Sequence, residues 1–178
     1  SQWENPFETL KDIYFRDHSL EFLRQVPEGK PFAMFTYLWA PHPPLRVPEP
    51  YASMYPPEKL VLPDNIGITA EGEPPLRRKG VPAQLAEQVP KEEWRQVWSA
   101  HLALTTMADD VLGMILEELK KQGKYENTCV VFTADHGDSL GQHQMYQKME
   151  MYEESVKVPL VIRLPGAKTG KTAKLVSH

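Results

Sequence analysis

Residues 128–166 read TCVVFTADHGDSLGQHQMYQKMEMYEESVKVPLVIRLPG, and this stretch decides the fold. Its opening run, Cys129, Val130, Val131, Phe132 and Thr133, is apolar, rich in β-branched residues and too short for a helix, which predicts a strand buried on both faces. The run stops abruptly at polar residues. Asp135, His136, Gly137 and Asp138 therefore fall where the strand leaves the sheet, and in an open parallel sheet ligands collect at that carboxyl edge. A second apolar run, residues 158–163, follows a polar segment, so two strands are expected to bracket a loop rich in groups that bind metals and anions.

Immediately upstream, residues 91–122 carry the clearest helical signal. Val97, His101, Leu104, Ala108, Val111, Ile115 and Leu119 recur at the three-and-four spacing of one buried face. Pro90 precedes the run, Glu92 and Glu93 occupy its first turn, and Lys120, Lys121 and Gly123 close it, in agreement with the helix dipole and a glycine stop. At 1.5 Å per residue the helix is roughly 40 Å long, the length of a crossover packed along a sheet. Asp109 and Asp110 are adjacent on it and diverge by about 100°, so they read as solvent or helix-end contacts, and His101 reads as a packed core residue.

Further out, residues 31–39 (PFAMFTYLW) form a continuous apolar and aromatic run bounded by turn formers, which predicts a second central strand. It leads into Ala40, Pro41, His42, Pro43 and Pro44. A histidine between prolines has little backbone freedom, so its imidazole is aimed with small entropic loss; the plainer reading is a rigid loop with an incidental histidine. Residues 10–25 have helix-compatible spacing at Ile13, Leu20, Phe22 and Leu23 and end before Pro27 and Gly29, with His18 as a surface residue. The Pro-rich region 43–90 predicts a long loop with a short helical turn near residues 50–55, serving as a wall of a binding site. Its cluster Arg77, Arg78 and Lys79 reads as solvated surface, with contact to an acidic substrate as the sharper alternative.

Composition narrows the class. With 178 residues, 41% of them hydrophobic, the chain forms one domain or part of one. A net charge of -4 and a pI near 5.9 provide no global basic field for nucleic acid or an anionic membrane, so any anion is bound locally. No apolar run approaches the roughly 20 residues needed to cross a bilayer, and SQWENPFETL lacks the basic start and apolar middle of a signal peptide. Compartment and oligomeric state stay open. The single cysteine, Cys129, sits within the predicted strand and reads as a small hydrophobe.

The chemistry gathers in the central loop. Consecutive side chains on a regular strand point to opposite faces, so Asp135 and His136 converge on one ion only if the strand ends there, and Gly137 allows that turn. A carboxylate oxygen and an imidazole nitrogen make part of a divalent-cation site. Beyond them, His143 adds an imidazole, and Lys148 supplies a point charge for a tetrahedral anion or is simply an exposed lysine.

Two blocks, FTADHGDSLGQHQMYQKMEMYEESVKVPLVIRLPG and PFAMFTYLWAPHPPLRVPEPYASMY, resemble type I sulfatases of the alkaline phosphatase superfamily in order and spacing, with a long helix between them. The resemblance implies an α/β fold, a partial alkaline phosphatase-like α/β/α sandwich with a mostly parallel sheet. It implies a divalent cation, calcium first with manganese or magnesium as alternatives, held by Asp135 and His136 together with two further acidic ligands. It also implies that Lys148 binds sulfate, that His42 serves the leaving group, and that His143 supports substrate binding. Many relatives carry asparagine where His136 stands, and a nitrogen ligand there leaves the metal's identity open.

The family's nucleophile is a formylglycine made from a C/S-x-P-x-R motif, and this sequence contains none. The expectation is therefore that residues 1–178 are the middle portion of a sulfatase catalytic domain, lacking the formylglycine segment and half of the metal ligands. In the intact enzyme the resemblance implies attack on sulfur by the formylglycine hydrate, neutralisation of sulfate charge by the cation and Lys148, and protonation or stabilisation of the departing alcohol by His42. The expected substrate is a small-molecule or carbohydrate sulfate ester. A phosphonate or phosphate monoester hydrolase of the same superfamily, or a non-catalytic module that kept the fold, are the alternatives.

Overall fold

A computed structural model describes residues 10–167 and Gly170. Residues 1–9, read above as part of SQWENPFETL, lie outside the described residues, as do 168, 169 and 171–178.

The long helix forms as its spacing predicts: a 3-10 turn at Lys91–Glu93 runs into α3 (Trp94–Lys121). Its buried stripe passes through Leu104, Val111, Ile115 and Leu119, with Ala103 and Met107 more deeply buried than the expected Ala108. Gly123 takes a positive φ of 65°, and Lys124 N donates to Leu119 O at 2.9 Å, so a left-handed residue closes the helix as its glycine requires. Against this helix packs α1 (Lys11–Gln25), tied by an Arg24–Glu118 ion pair at 3.0 Å. Leu10 and Ile13 meet Leu104 and Met107 in one core cluster, while Leu23 meets Val111, Ile115 and Leu119 in a second.

The strands depart from expectation. Strand β1 (Val130–Thr133) pairs with β2 (Leu160–Arg163) antiparallel, Val130 opposite Arg163 and Thr133 opposite Leu160. This two-stranded sheet corrects the mostly parallel sheet expected for the segment present. Burial on both faces is corrected as well, since Val131 is 56% exposed and its partner Ile162 53%. Cys129 precedes β1 and is exposed rather than packed.

Residues 31–38 run extended but join no strand ladder among the described residues. Burial still alternates along them: Phe32, Met34 and Leu38 pack onto the α1–α3 core with Val130, whereas Phe35 (81% exposed) and Tyr37 (75%) point away. The period-2 pattern is that of a strand, but a strand exists only through the partner that takes its backbone hydrogen bonds.

The Pro-rich region is more ordered than a long loop. It contains 3-10 turns at Tyr51–Ser53, Pro57–Lys59 and Pro75–Lys79, then helix α2 (Val81–Glu87). A short helix α4 (Glu153–Val156) lies between β1 and β2. Ile66 bridges Gln142, and Gly67 N donates to Gly141 O at 2.8 Å, which fastens the region to the loop after β1. No helix among the described residues is long and apolar enough to cross a membrane.

Candidate active site

Two pairs of predicted residues meet. In the first, Lys148 Nζ lies 2.8 Å from His42 Nε2. The other ring nitrogen, Nδ1, is 2.6 Å from Pro43 O, and a carbonyl only accepts, so Nδ1 carries a proton. Nε2 is thereby the atom that faces Lys148, and it accepts from the ammonium group. His42 is positioned by groups that motif reading did not single out. Asp12, buried in the first turn of α1, accepts from Trp39 N (2.6 Å) and Ala40 N (3.0 Å), and Trp39 O accepts from His42 N at 2.8 Å. The Trp39 and His42 rings lie 4.6 Å apart, and Lys11 Nζ sits 4.3 Å over the Trp39 ring.

In the second pair, Asp135 and His136 stand at the carboxyl end of β1 as expected. Asp135 Oδ1 accepts from His136 N at 3.0 Å, while Oδ2 lies 3.5 Å from His136 Nε2. His136 Nδ1 is 2.8 Å from Gly137 O and, by the same argument, donates to it. Two lone pairs, on Nε2 and Oδ2, thus face each other from a carboxylate that is 85% exposed. That donor set fits two ligands of a divalent cation. Among the described residues no group of three or more His, Cys, Asp or Glu side chains gathers to complete it.

The loop between the pairs is held by Asp138. Its Oδ1 accepts from Leu140 N (3.0 Å) and Gln147 N (2.9 Å), and Ser139 N donates to Gln147 O at 3.0 Å, which fixes the backbone next to Lys148. Burial pushes the Tyr146 phenol up to about 12, with the Asp138 charge adding to the effect. Leu140, His143, Gln144 and Gln147 all have positive φ, a conformation costly for residues with a Cβ and kept here by these clamps. Gly137 permits the close approach of α4: its N–H donates to Ser155 O at 2.8 Å, and a Cβ there would run into Glu154 O.

His143 occupies a different setting from His42. Its ring stacks on Tyr152 at 4.3 Å, and its Nε2 lies 3.3 Å from both Glu154 Oε1 and Asn65 Nδ2. Arg78 is not solvated surface: it pairs with Glu73, whose side chain is buried, at 2.8 Å and donates to His143 O (3.1 Å) and Gln144 O (3.0 Å). The one sequence signal for Arg78 was its charge, and its partner Glu73 is five positions away in a region that looked like loop.

The family described as Sulfatase matches residues 1–178. The chain is 31% identical over 174 residues to the multifunctional alkaline phosphatase superfamily protein PehA of Trinickia caryophylli, covering 90% of this chain and 34% of that protein. It is 33% identical over 150 residues to an arylsulfatase of Clostridium perfringens, covering 84% and 31%. Among solved structures it is similar to the phosphonate monoester hydrolase SpPMH from Silicibacter pomeroyi, at 32% identity and a TM-score of 0.72 over 90% of this chain and 34% of that one. The chain thus spans about a third of the length of these relatives, with a partial α/β fold of the alkaline phosphatase-like type. A match along its whole length places the chain in the sulfatase family.

Proposed function

We propose that residues 1–178 form the middle portion of a catalytic domain that hydrolyses sulfate esters of small molecules or carbohydrates, completed as an α/β/α sandwich with a mostly parallel sheet. The observation that carries this is the 2.8 Å contact between Lys148 Nζ and His42 Nε2, which joins a cation and a proton carrier from loops 106 positions apart. Lys148 holds a sulfate oxygen as a fixed positive charge. His42 acts through Nε2, because Nδ1 is engaged by Pro43 O: as the imidazolium it gives its Nε2 proton to the departing alcohol oxygen and is left as the Nδ1–H tautomer that accepts from Lys148. Preorganised charge of this kind supplies much of the rate in a site that excludes water.

Asp135 and His136 hold one side of a divalent cation, calcium first with manganese or magnesium as alternatives, and the other ligands and the formylglycine come from outside this chain. When bound, the cation neutralises charge on the sulfate oxygens. His143, held by Asn65, Tyr152 and Glu154, supports substrate binding by fixing the loop that ends at Lys148.

Similarity to a phosphonate monoester hydrolase favours one second reading, hydrolysis of phosphonate or phosphate monoesters at the same tetrahedral-anion site. Assays of aryl sulfate, phosphate and phosphonate esters by the intact enzyme separate the two. The sulfatase reading predicts the highest kcat/KM for sulfate, lost in Lys148→Ala; a preference for phosphonate overturns it in favour of the second reading.

A further inference from the structure

The turn that carries His42 is built together with the first turn of α1. Lys11 opens that helix, and its neighbour Asp12 accepts through Oδ1 from Trp39 N and Ala40 N, while Trp39 O accepts from His42 N. These bonds fix the backbone of Lys11 relative to that of His42. Lys11 Nζ lies 4.3 Å from the centre of the Trp39 ring, which is 4.6 Å from that of His42, so the ammonium group stands no more than about 9 Å from the His42 ring. That is about the span of one sugar ring with its substituents.

Nothing in the helix calls for a cation at this position. Positive charge in the first turn opposes the helix dipole, the residue is exposed, and Lys11 enters no ion pair among the described residues. The carboxylate next to it, Asp12, is buried and engaged by backbone N–H groups. An ammonium group resting on an aromatic ring is held in place yet keeps N–H donors for a ligand. Where Lys148 holds a sulfate oxygen and His42 serves the departing oxygen, the skeleton of the leaving group extends from His42 away from the sulfur. Trp39, 45% exposed, is the aromatic ring beside His42. A sugar laid against it brings a further substituent toward Lys11, and an anionic substituent there gains a charge-assisted hydrogen bond.

We propose that Lys11 and Trp39 form a subsite for a second negatively charged group, a sulfate or a carboxylate, on the leaving group of the sulfate ester. The inference rests on the sulfatase reading of the His42–Lys148 pair and narrows its substrates to doubly anionic sugars. Lysine suits either anion, because its ammonium group is a point charge with three rotatable donors and demands no planar partner.

Steady-state kinetics of the intact enzyme test this on three substrates: a methyl hexoside with one sulfate, the same hexoside with two, and a methyl uronoside with one sulfate. One or both doubly charged substrates should be preferred by at least about tenfold in kcat/KM, through KM, and the preference should shrink as salt rises. Which of the two is preferred identifies the second group as sulfate or carboxylate. Lys11→Met and Lys11→Gln keep a side chain on Trp39 and remove the charge, so they should abolish the preference, whereas Lys11→Arg should retain it; unchanged helical circular dichroism checks the fold. No preference in the wild type, or one that survives the loss of charge, makes Lys11 a packing partner of Trp39 and overturns the subsite while the catalytic reading stands. Absence of turnover on every sulfate ester sinks the catalytic reading instead. Calorimetric binding of the disulfated hexoside then decides the subsite by itself: binding weakened at least about tenfold in Lys11→Met supports it, and equal binding overturns it.

Discussion

Lys148 Nζ donates to Nε2 of His42 across 2.8 Å, and Pro43 O accepts the hydrogen bond from Nδ1–H on the opposite side of the same ring. The imidazole is thus held as the Nδ1–H tautomer by two contacts. In the 178-residue chain, nitrogen NMR of His42 is expected to show a protonated Nδ1 and an accepting Nε2, and Lys148→Met is expected to shift the Nε2 resonance alone. In the intact enzyme, Lys148→Met and His42→Ala should each lower kcat by about 10²–10³. A change below twofold in both variants removes the pair from the mechanism.

Gly137 and Gly113 predict opposite responses to one methyl group. A Cβ on Gly137 meets the carbonyl oxygen of Glu154 in α4, so Gly137→Ala should cost about 1–3 kcal/mol and break the Gly137 N–Ser155 O bond. Gly113 lies exposed within α3 with open space around it, so Gly113→Ala should stabilise by about 0.5–1 kcal/mol. Urea unfolding of both variants checks this. Equal effects at the two sites would mean that the packing of α4 on the loop is wrong.

Alkaline pH should unfold the chain through buried phenols. Burial, then the hydrogen bond to Asp110, pushes Tyr51 up to about 12, and burial with the Asp138 charge does the same to Tyr146. Unfolded, both ionise near 10.0, so between 10.0 and about 12 the native state holds more protons than the unfolded state. Stability from this source is fully present below the lower value and is lost as pH rises through the upper one. Urea midpoints measured across that window should fall, and Tyr146→Phe should fall less steeply. An identical slope in wild type and variant contradicts the assignment for Tyr146.

Metal affinity of the chain by itself should be poor. Asp135 and His136 give two donors, and sites for calcium take six to eight. Calorimetric titration with Ca²⁺ or Mn²⁺ should give a Kd of about 1 mM or weaker, with Mn²⁺ broadening the His136 ring signals first. Stoichiometric binding at micromolar metal would show that this chain holds the whole site.

Local spacing determined a good deal of this protein. The three-and-four apolar periodicity with Gly123 behind it determined α3, and the abrupt end of the β-branched run put Asp135 and His136 at the carboxyl end of β1. Such features depend on neighbours a few positions apart, which any window of sequence contains. The motif resemblance also pointed to Lys148 and His42, although nothing local shows that they touch. Only the tertiary structure decided the rest. Asp12 reaches Trp39 N 27 positions away and Arg78 reaches His143 O at 65, so their roles as clamps are invisible until the chain folds. Residues 31–39 carry every local mark of a central strand and still lack a ladder among the described residues, because extended conformation is a local preference whereas a strand requires a partner's N–H and C=O groups. For the same reason the direction of β2 could not be read from its composition: antiparallel pairing with β1 is set by the path of the loop that Asp138 and α4 hold in place.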